Sequence, residues 1–324
     1  MHLLGIDIGG TKTSVCTGSE DGTLHVARRI PSETARGFQD WAQRSFRLID
    51  NVLEESELTL SDVDAIGMSA PGPLSVRRGT LLDAPNMTGW GEVPVVASFE
   101  EHLGRPIRMN NDANAAALAE WYYGDFKDTD SLIYLTMSTG LGAGIIANGH
   151  LLQGASDAAG EVGYHVLDPA GPESPCGHRG SFEAFCGGKN VADRLREHIQ
   201  REDLQTCILD QAGGHPENID FRTLVEAVRE QDAYAMTVWD DYVEHLAQGI
   251  GNLMMIINPG AVLLGTIGIH AADILLEPLR RRIQPYVIPS VYTACTVVPS
   301  SLGSTIGDLA ALALARQAAV ANNA

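Results

Sequence analysis

Apolar positions along this chain fall into two kinds of stretch. Short runs that alternate or stay apolar are broken by glycine, and longer stretches repeat every 3.6 residues, which together predict a mixed α/β protein. Leu3 to Ile8 reads as a buried strand running into Gly9-Gly10-Thr11-Lys12, with a second strand from Thr13. Leu24 to Ile30 can form a third strand, and Phe38, Trp41, Phe46, Ile49 and Leu53 mark one face of a helix. Val63 to Ser69 is another strand, ending in Ala70-Pro71-Gly72-Pro73, and Arg105 to Met109 precedes an alanine-rich helix that follows Asp112. The order then begins again. Ser131 to Met137 is a strand, Ser138-Thr139-Gly140-Leu141-Gly142-Ala143-Gly144 a glycine-rich turn, and Ile145 to Ala147 the returning strand. Two strand–glycine turn–strand units about 130 residues apart suggest an internal duplication. Helices are predicted over Val191–Ile199, Phe221–Val228 and Ala233–Ile257, the last stopped by Asn258-Pro259 because proline cannot continue a helix. Ala261 to Leu264 is a buried strand opening into Gly265-Thr266-Ile267-Gly268, and a helix covers about Gly307 to Ala319.

Composition narrows the partners. A chain of 324 residues is long enough for two domains with cores, and 44% hydrophobic with 19% charged residues is ordinary for a globular protein. A net charge of −19 repels nucleic acid and anionic membranes, and the one basic run, Arg280-Arg281-Arg282, suits the last turn of a helix. No secretory signal opens the chain, and no apolar run approaches the ~18 residues of a membrane span. Five widely spaced cysteines without a C-x-x-C pair read as reduced thiols, so a cytoplasmic protein is expected. The glycosylation pattern at Asn86-Met87-Thr88 has no meaning without a secretory route.

The candidate chemistry sits at strand ends. Asp112 follows Asn110-Asn111 at a strand-to-helix junction, where a carboxylate can serve as a catalytic base or as a helix N-cap, and both roles can hold together. Bare glycine backbone at Gly9 and Gly10, with the Thr11 hydroxyl, can approach phosphate oxygens, although an ordinary hairpin turn has the same look. No helix follows and no G-K-[ST] ending is present, so this is not a P-loop. Asp7 could hold Mg²⁺ through water. Asn86, in the loop 84–90, can donate to and accept from sugar hydroxyls or simply turn the chain.

These segments together resemble the ROK sugar kinases, within the superfamily of actin, the heat-shock ATPases and hexokinase. The likeness rests on Asp7-Ile-Gly-Gly-Thr-Lys12, Ala84-Pro-Asn86, Asn111-Asp112-x-Asn114, Ser138-Thr-Gly-x-Gly-x-Gly144, Gly160-Glu161-x-Gly163 and Gly180-x-Phe-Glu183, in the family's order and spacing. The resemblance implies an α/β fold of two ribonuclease-H-like (actin-like ATPase) domains around a central cleft. We expect residues 1–113, joined by a C-terminal helix over 304–324, to form one domain and 114–303 the other. It further implies Asp112 as general base. Asn86, Asn111, Glu161 and Glu183 would hold the sugar. ATP would lie on Gly9, Gly10, Thr11, Lys12, Ser138, Thr139, Gly140, Gly142, Gly265 and Gly268, with Mg²⁺ near Asp7. Glucose is the expected substrate, with N-acetylmannosamine, N-acetylglucosamine, mannose and fructose as alternatives. A homodimer is expected from the family likeness.

Two departures from the family pattern bear on this expectation. The family's zinc ligands, one His and three Cys, fall by spacing on Tyr164, Ser174, Cys176 and Ser181, and structural zinc needs four closed ligands, so no zinc of that type is expected. His165, Cys176 and His178 are an alternative trio without an evident fourth member. Tyr164 or His165 would take over the sugar contact of the family's histidine. Thr266 and Ile267 replace consecutive glycines near the nucleotide and could narrow that approach. A rival reading is a sugar-binding sensor that has lost turnover. A DNA-binding repressor is a more distant one, because the first strand opens within three residues of Met1 and no helix-turn-helix extension is expected.

Overall fold

Strand β1 (His2–Ile8) turns back into β2 (Lys12–Ser19) and then β3 (Leu24–Pro31), an antiparallel meander. Helix α1 (Phe38–Glu55) carries the chain to β4 (Ala65–Ala70), which lies parallel to β1. A small three-stranded sheet of β5 (Leu74–Ser75), β6 (Thr80–Leu82) and β7 (Glu92–Val93) follows, then α2 (Val95–Leu103), the parallel strand β8 (Ile107–Asn111) and α3 (Asp112–Tyr123). The structure is a computed structural model and describes residues 1–84, 87–127, 129–174 and 177–322.

The second sheet is built from β9 (Leu132–Met137), β10 (Leu141–Ala147) and β11 (His150–Leu151). Helices α4 (Phe182–Cys186), α5 (Gly188–Glu202), α6 (Cys207–Gln211), α7 (Phe221–Arg229) and α8 (Ala233–Ile257) intervene before β12 (Ala261–Leu264). Then come α9 (Ile267–His270), α10 (Ala272–Ile283), α11 (Pro289–Ala294), β13 (Thr296–Pro299) and α12 (Ile306–Asn322). The strand orders β3-β2-β1-β4-β8 and β11-β10-β9-β12-β13 match position by position. In each, an antiparallel hairpin is flanked by a strand parallel to its first member.

The chain divides into two compact units, Met1–Asp128 with Leu151–Ala159 and Ser301–Ala324, and Thr129–His150 with Gly160–Ser300. The first unit keeps α3, where the sequence predicts a boundary at residue 113. The reason is packing, since α12 lies against both α3 and strands β1 and β4.

Strand alternation decides what each face of the first sheet does. Leu4, Ile6 and Ile8 of β1, Ile66 and Met68 of β4, and Ile107 and Met109 of β8 point into one core with Trp41, Ile49 and Val52 of α1 and Phe99 of α2. The alternate residues take α12. A Cβ on Gly67 would lie 2.1 Å from the Ala311 carbonyl oxygen, so only glycine lets the helix settle on β4. By the same alternation Asp7, Ser69, Arg108 and Asn110 belong to the α12 face, which is how polar chemistry enters an otherwise apolar sheet.

Candidate active site

In the first unit the parallel strands end side by side. Register sets Asp7 opposite Ser69 and Ser69 opposite Asn110, so a carboxylate, a hydroxyl and an amide share one row at the C-terminal ends of β1, β4 and β8. Ligand chemistry in open α/β sheets concentrates at such strand ends. Asn111, not Asp112, is the N-cap of α3, its Oδ1 accepting from the Asn114 amide at 2.7 Å. Asp112 is thereby left at the first helical position, with Oδ1 accepting from the Ala113 amide at 2.8 Å and the rest of its carboxylate uncommitted to the cap. Asn110 Oδ1 accepts from the Asn111 amide at 2.9 Å and from Asn114 Nδ2 at 3.0 Å, fastening strand to helix. Asn110 and Asn114 are thus supporting residues that sequence reasoning passed over, though Asn-Asn before a helix is a legible signal for such a clamp.

The two carboxyls are electrostatically tuned. Burial raises the Asp7 carboxyl from 3.8 to about 6, an effect resisted by the Ser69 hydroxyl and Lys12 and reinforced by the negative charges of Asp112 and Asp308. Gly307, in the first turn of α12, stands against Asp7 with room for nothing larger, since a Cβ there would lie 2.6 Å from Asp7 Oδ2. Asp112 reaches solvent, yet the protein packed around its carboxyl desolvates it and holds it above the ordinary carboxylate range, against the pull of the Ala113 amide.

The turn from Gly9 to Lys12 is closed by the Gly9 amide donating to the Lys12 carbonyl at 3.0 Å, a tight hairpin with Thr11 and Lys12 exposed at its tip. It is braced from inside. Ser32 Oγ donates to the Gly9 carbonyl at 2.5 Å, and the Ser32 amide donates to the Thr11 carbonyl at 2.9 Å. Behind it, Asp308 receives the Ser14 hydroxyl at 2.5 Å and the Arg29 guanidinium at 2.6 Å, tying α12 to β2 and β3.

In the second unit the corresponding turn, 138–140, rests on the start of α5. The Gly188 amide donates to the Ser138 carbonyl at 3.0 Å and the Lys189 amide to the Thr139 carbonyl at 2.9 Å, leaving the Ser138 and Thr139 side chains exposed. Gly265, Thr266, Ile267 and Gly268 close a turn in which the Gly268 amide donates to the Gly265 carbonyl at 2.8 Å, and Thr266 takes φ of +35°. A Cβ on Gly188 would come within 3.4 Å of Ile267 Cδ1, so the segments 138–140, 188–189 and 265–268 converge.

Glu183 is bound to the main chain beside that turn. Its Oε2 accepts from the Leu141 amide at 2.8 Å and lies where a Cβ of residue 140 would sit, 2.5 Å away. Glu161 is exposed and precedes the short helix Val162–Tyr164, which packs on β10 and α4, so Glu161 and Glu183 belong to one neighbourhood. His165 Nδ1 donates to the Val162 carbonyl, which leaves Nε2 unprotonated, buried and without a hydrogen-bond partner among the described residues. Burial lowers its basicity further, and its ring stands edge-on to Phe182 at 5.1 Å between centroids. Tyr164 is exposed, its ring edge-on to His178 at 5.6 Å.

Asn86 and Cys176 lie outside the described residues. Ser181 caps α4 by accepting from the Ala184 amide at 3.2 Å, and the Ser174 amide donates to the His178 carbonyl at 2.9 Å. Among the described residues no three His, Cys, Asp or Glu side chains group as metal ligands.

The twin sheets of matching strand order, each with a glycine turn after its first strand, define an actin-like ATPase fold of mixed α/β type. The chain belongs to the ROK family, whose model matches residues 3–318. It is 30% identical to a glucokinase of Thermotoga maritima over 98% of each chain. The structure of a ROK hexokinase from Thermus thermophilus superposes with a TM-score of 0.85 at 29% identity, over 99% of this chain and all of that one. A ROK glucokinase from Streptomyces griseus, solved with glucose and AMPPNP, gives 0.78 at 26% identity over 98% of this chain and 100% of that one.

Proposed function

We propose that this protein is an ATP-dependent hexose kinase, with glucose the first substrate to test and Asp112 the general base. The observation that supports the reading most is the release of Asp112 from helix capping by Asn111, which leaves a desolvated carboxylate at a strand end next to Asp7. Membership of a family that includes a glucokinase 30% identical to this chain supports the substrate class.

Phosphoryl transfer asks mainly for positioning and charge stabilisation. A sugar hydroxyl within hydrogen-bond reach of Asp112 would give up its proton to that carboxylate as attack develops, a contribution typically worth ~10²–10⁴-fold in rate. Asn111 would orient the sugar through its amide nitrogen, since its oxygen is spent on the cap, and Asn86 and Glu161 would complete the hydroxyl contacts. Glu183 would act from behind, as the acceptor that keeps Leu141 and the second glycine turn in place, while Tyr164 would border the sugar. The turn amides and hydroxyls at Gly9, Gly10, Thr11 and Lys12, and at Ser138, Thr139, Gly140 and Gly142, would receive the nucleotide phosphates, with Gly265 and Gly268 beside the nucleotide.

Asp7 fits the expected Mg²⁺, because this ion keeps most of its waters and is held by one or two carboxylates and substrate phosphates rather than by a protein cage. When bound, Mg²⁺ neutralises charge on the transferring phosphates. The test is coupled ADP release with Mg-ATP across hexoses and N-acetylhexosamines, run beside Asp112→Asn. Turnover with one sugar that is lost in the variant is expected. No turnover with any sugar, alongside equal sugar-induced thermal shifts in both proteins, would replace the kinase with a sugar sensor.

A further inference from the structure

Loop 83–91 joins β6 to β7 and carries Asn86, the proposed sugar contact. Its described residues are closed on themselves. The Asp83 amide donates to the Gly91 carbonyl at 3.2 Å, the Met87 amide to the Ala84 carbonyl at 2.8 Å and the Trp90 amide to the Met87 carbonyl at 3.1 Å. The last of these bonds closes a turn with Gly89 at its third position, where φ of +81° is the left-handed backbone that a type II turn requires. Ala84, Met87 and Trp90 are buried, so the described residues on either side of Asn86 face inward.

Packing explains the Trp90 ring but not its nitrogen. The ring lies 4.9 Å from that of Trp41 and 5.4 Å from that of Phe38, between centroids, and a purely apolar ring would fill the same place. The indole N–H instead reaches back 56 positions to donate to the Thr34 carbonyl at 3.0 Å. That carbonyl is a fixed point. It also accepts from the Gly37 amide at 3.0 Å, and Arg44 holds the residues just before it, donating Nη1 to the Pro31 carbonyl at 2.6 Å and Nη2 to the Ser32 carbonyl at 2.5 Å. The loop is therefore hooked by one nitrogen onto a segment that is held without it.

We infer that Trp90 is a positioning residue for sugar binding, its N–H fixing loop 83–91 against Thr34 so that Asn86 is presented at a set place. This role rests on the proposed kinase only for its sugar. Ser32 keeps its bonds to Gly9 and Thr11 when the indole donor is removed, so the first glycine turn stays braced and the effect of losing Trp90 falls on the sugar and not on the nucleotide.

The test is calorimetric titration of the full chain with glucose, mannose, fructose, N-acetylglucosamine and N-acetylmannosamine, and separately with Mg-ADP, with melting temperatures alongside. The parent is expected to bind at least one of the sugars and Mg-ADP. Trp90→Phe keeps a ring in the cluster, removes the donor and leaves the Thr34 carbonyl its bond from Gly37. It is expected to weaken that sugar roughly three- to tenfold, the scale of one neutral hydrogen bond, and to leave Mg-ADP unchanged. Gly89→Ala keeps the indole and brings its new carbon within 4 Å of no other atom, yet forces an L side chain into left-handed backbone in the turn that leads to Trp90. It should weaken the same sugar selectively, and it carries the test if Trp90→Phe folds poorly. Unchanged sugar affinity in every variant that folds, or sugar and Mg-ADP weakened alike as a general loosening of the fold would do, overturns the role of Trp90. A parent that binds none of the sugars overturns the kinase reading as well, so the parent alone tells the two failures apart.

Discussion

The indole N–H of Trp41 donates to Thr13 Oγ1 at 2.8 Å, at the head of a buried chain of hydrogen bonds whose direction is set at its other end by the Gly9 carbonyl. Indole can only donate and a carbonyl can only accept, so Thr13 must donate onward to Ser32 Oγ, 3.0 Å away, and Ser32 to the Gly9 carbonyl. The relay holds the first glycine turn from inside the core. Ser32→Ala breaks it at the turn and strands the Thr13 hydroxyl without its acceptor, at a cost of about 1–3 kcal/mol. Trp41→Phe leaves the Thr13–Ser32–Gly9 portion whole. We therefore expect Ser32→Ala to raise the KM for ATP several-fold more than Trp41→Phe does, measured by coupled assay with unfolding curves alongside. Equal effects on KM would show that the turn does not depend on the relay.

Asp7 sits in a place that favours its neutral form. A carboxyl raised from 3.8 to about 6 on folding loses stability for the fold as pH climbs from about 4 through 6, because the folded chain must then carry the charge that burial penalises. Asp7→Asn is accordingly expected to raise stability at pH 8 by an amount on the order of 3 kcal/mol, with little change at pH 4. Chemical denaturation at the two pH values measures this directly. An Asn variant less stable at pH 8 than the parent would mean that the charge is compensated in the fold.

Asp112 must be ionised to accept a proton. Its carboxyl is raised by desolvation, so the acid side of the pH–rate profile should fall above the ordinary carboxylate range. Measured kcat/KM for the sugar that turns over is expected to decline on the acid side at a higher pH than an ordinary carboxylate would give. A profile flat down to pH 4 would remove the desolvated carboxylate from the rate-limiting chemistry.

Among its described residues, the segment 164–181 is held together by main-chain pairing and a helix cap. Isolated strand pairings join Val166 to Ser181 and Glu173 to Arg179, the Gly180 amide donates to the Pro172 carbonyl at 2.7 Å, and Ser181 is committed to capping α4. Purified protein is expected to carry well under one zinc per chain by atomic emission, and a chelator should leave its melting temperature unchanged. Stoichiometric zinc with a chelator-induced drop would mean that this segment is a metal site after all.

Much of this layout was legible in the residues. The period of Phe38–Leu53 and the stop at Asn258-Pro259 led to helices observed at Phe38–Glu55 and Ala233–Ile257, and the two glycine turns foretold the matching strand orders. Helix α2 was missed because Val95-Val96 is β-branched, and only its packing through Val95, Phe99 and Leu103 makes it helical. The capping role fell on Asn111 rather than Asp112, a shift of one residue that a single sequence cannot resolve. The grip of Glu183 on the Leu141 amide joins residues 42 positions apart, a tertiary relationship with no local signal.

The close seat of α12 on Gly67 has a consequence for how the molecule is made. A ribosome reaching residue 300 has already produced every strand of the first sheet, yet the helix that covers one face of β1 and β4 has still to be synthesised. Until it arrives, Leu3, Gly5 and Gly67 present a bare surface to the cell, while the second unit, Thr129–His150 with Gly160–Ser300, has its whole chain available. The N-terminal sheet therefore waits for its cover although it was translated first, and the nascent chain is most exposed to chaperones and to aggregation in that interval.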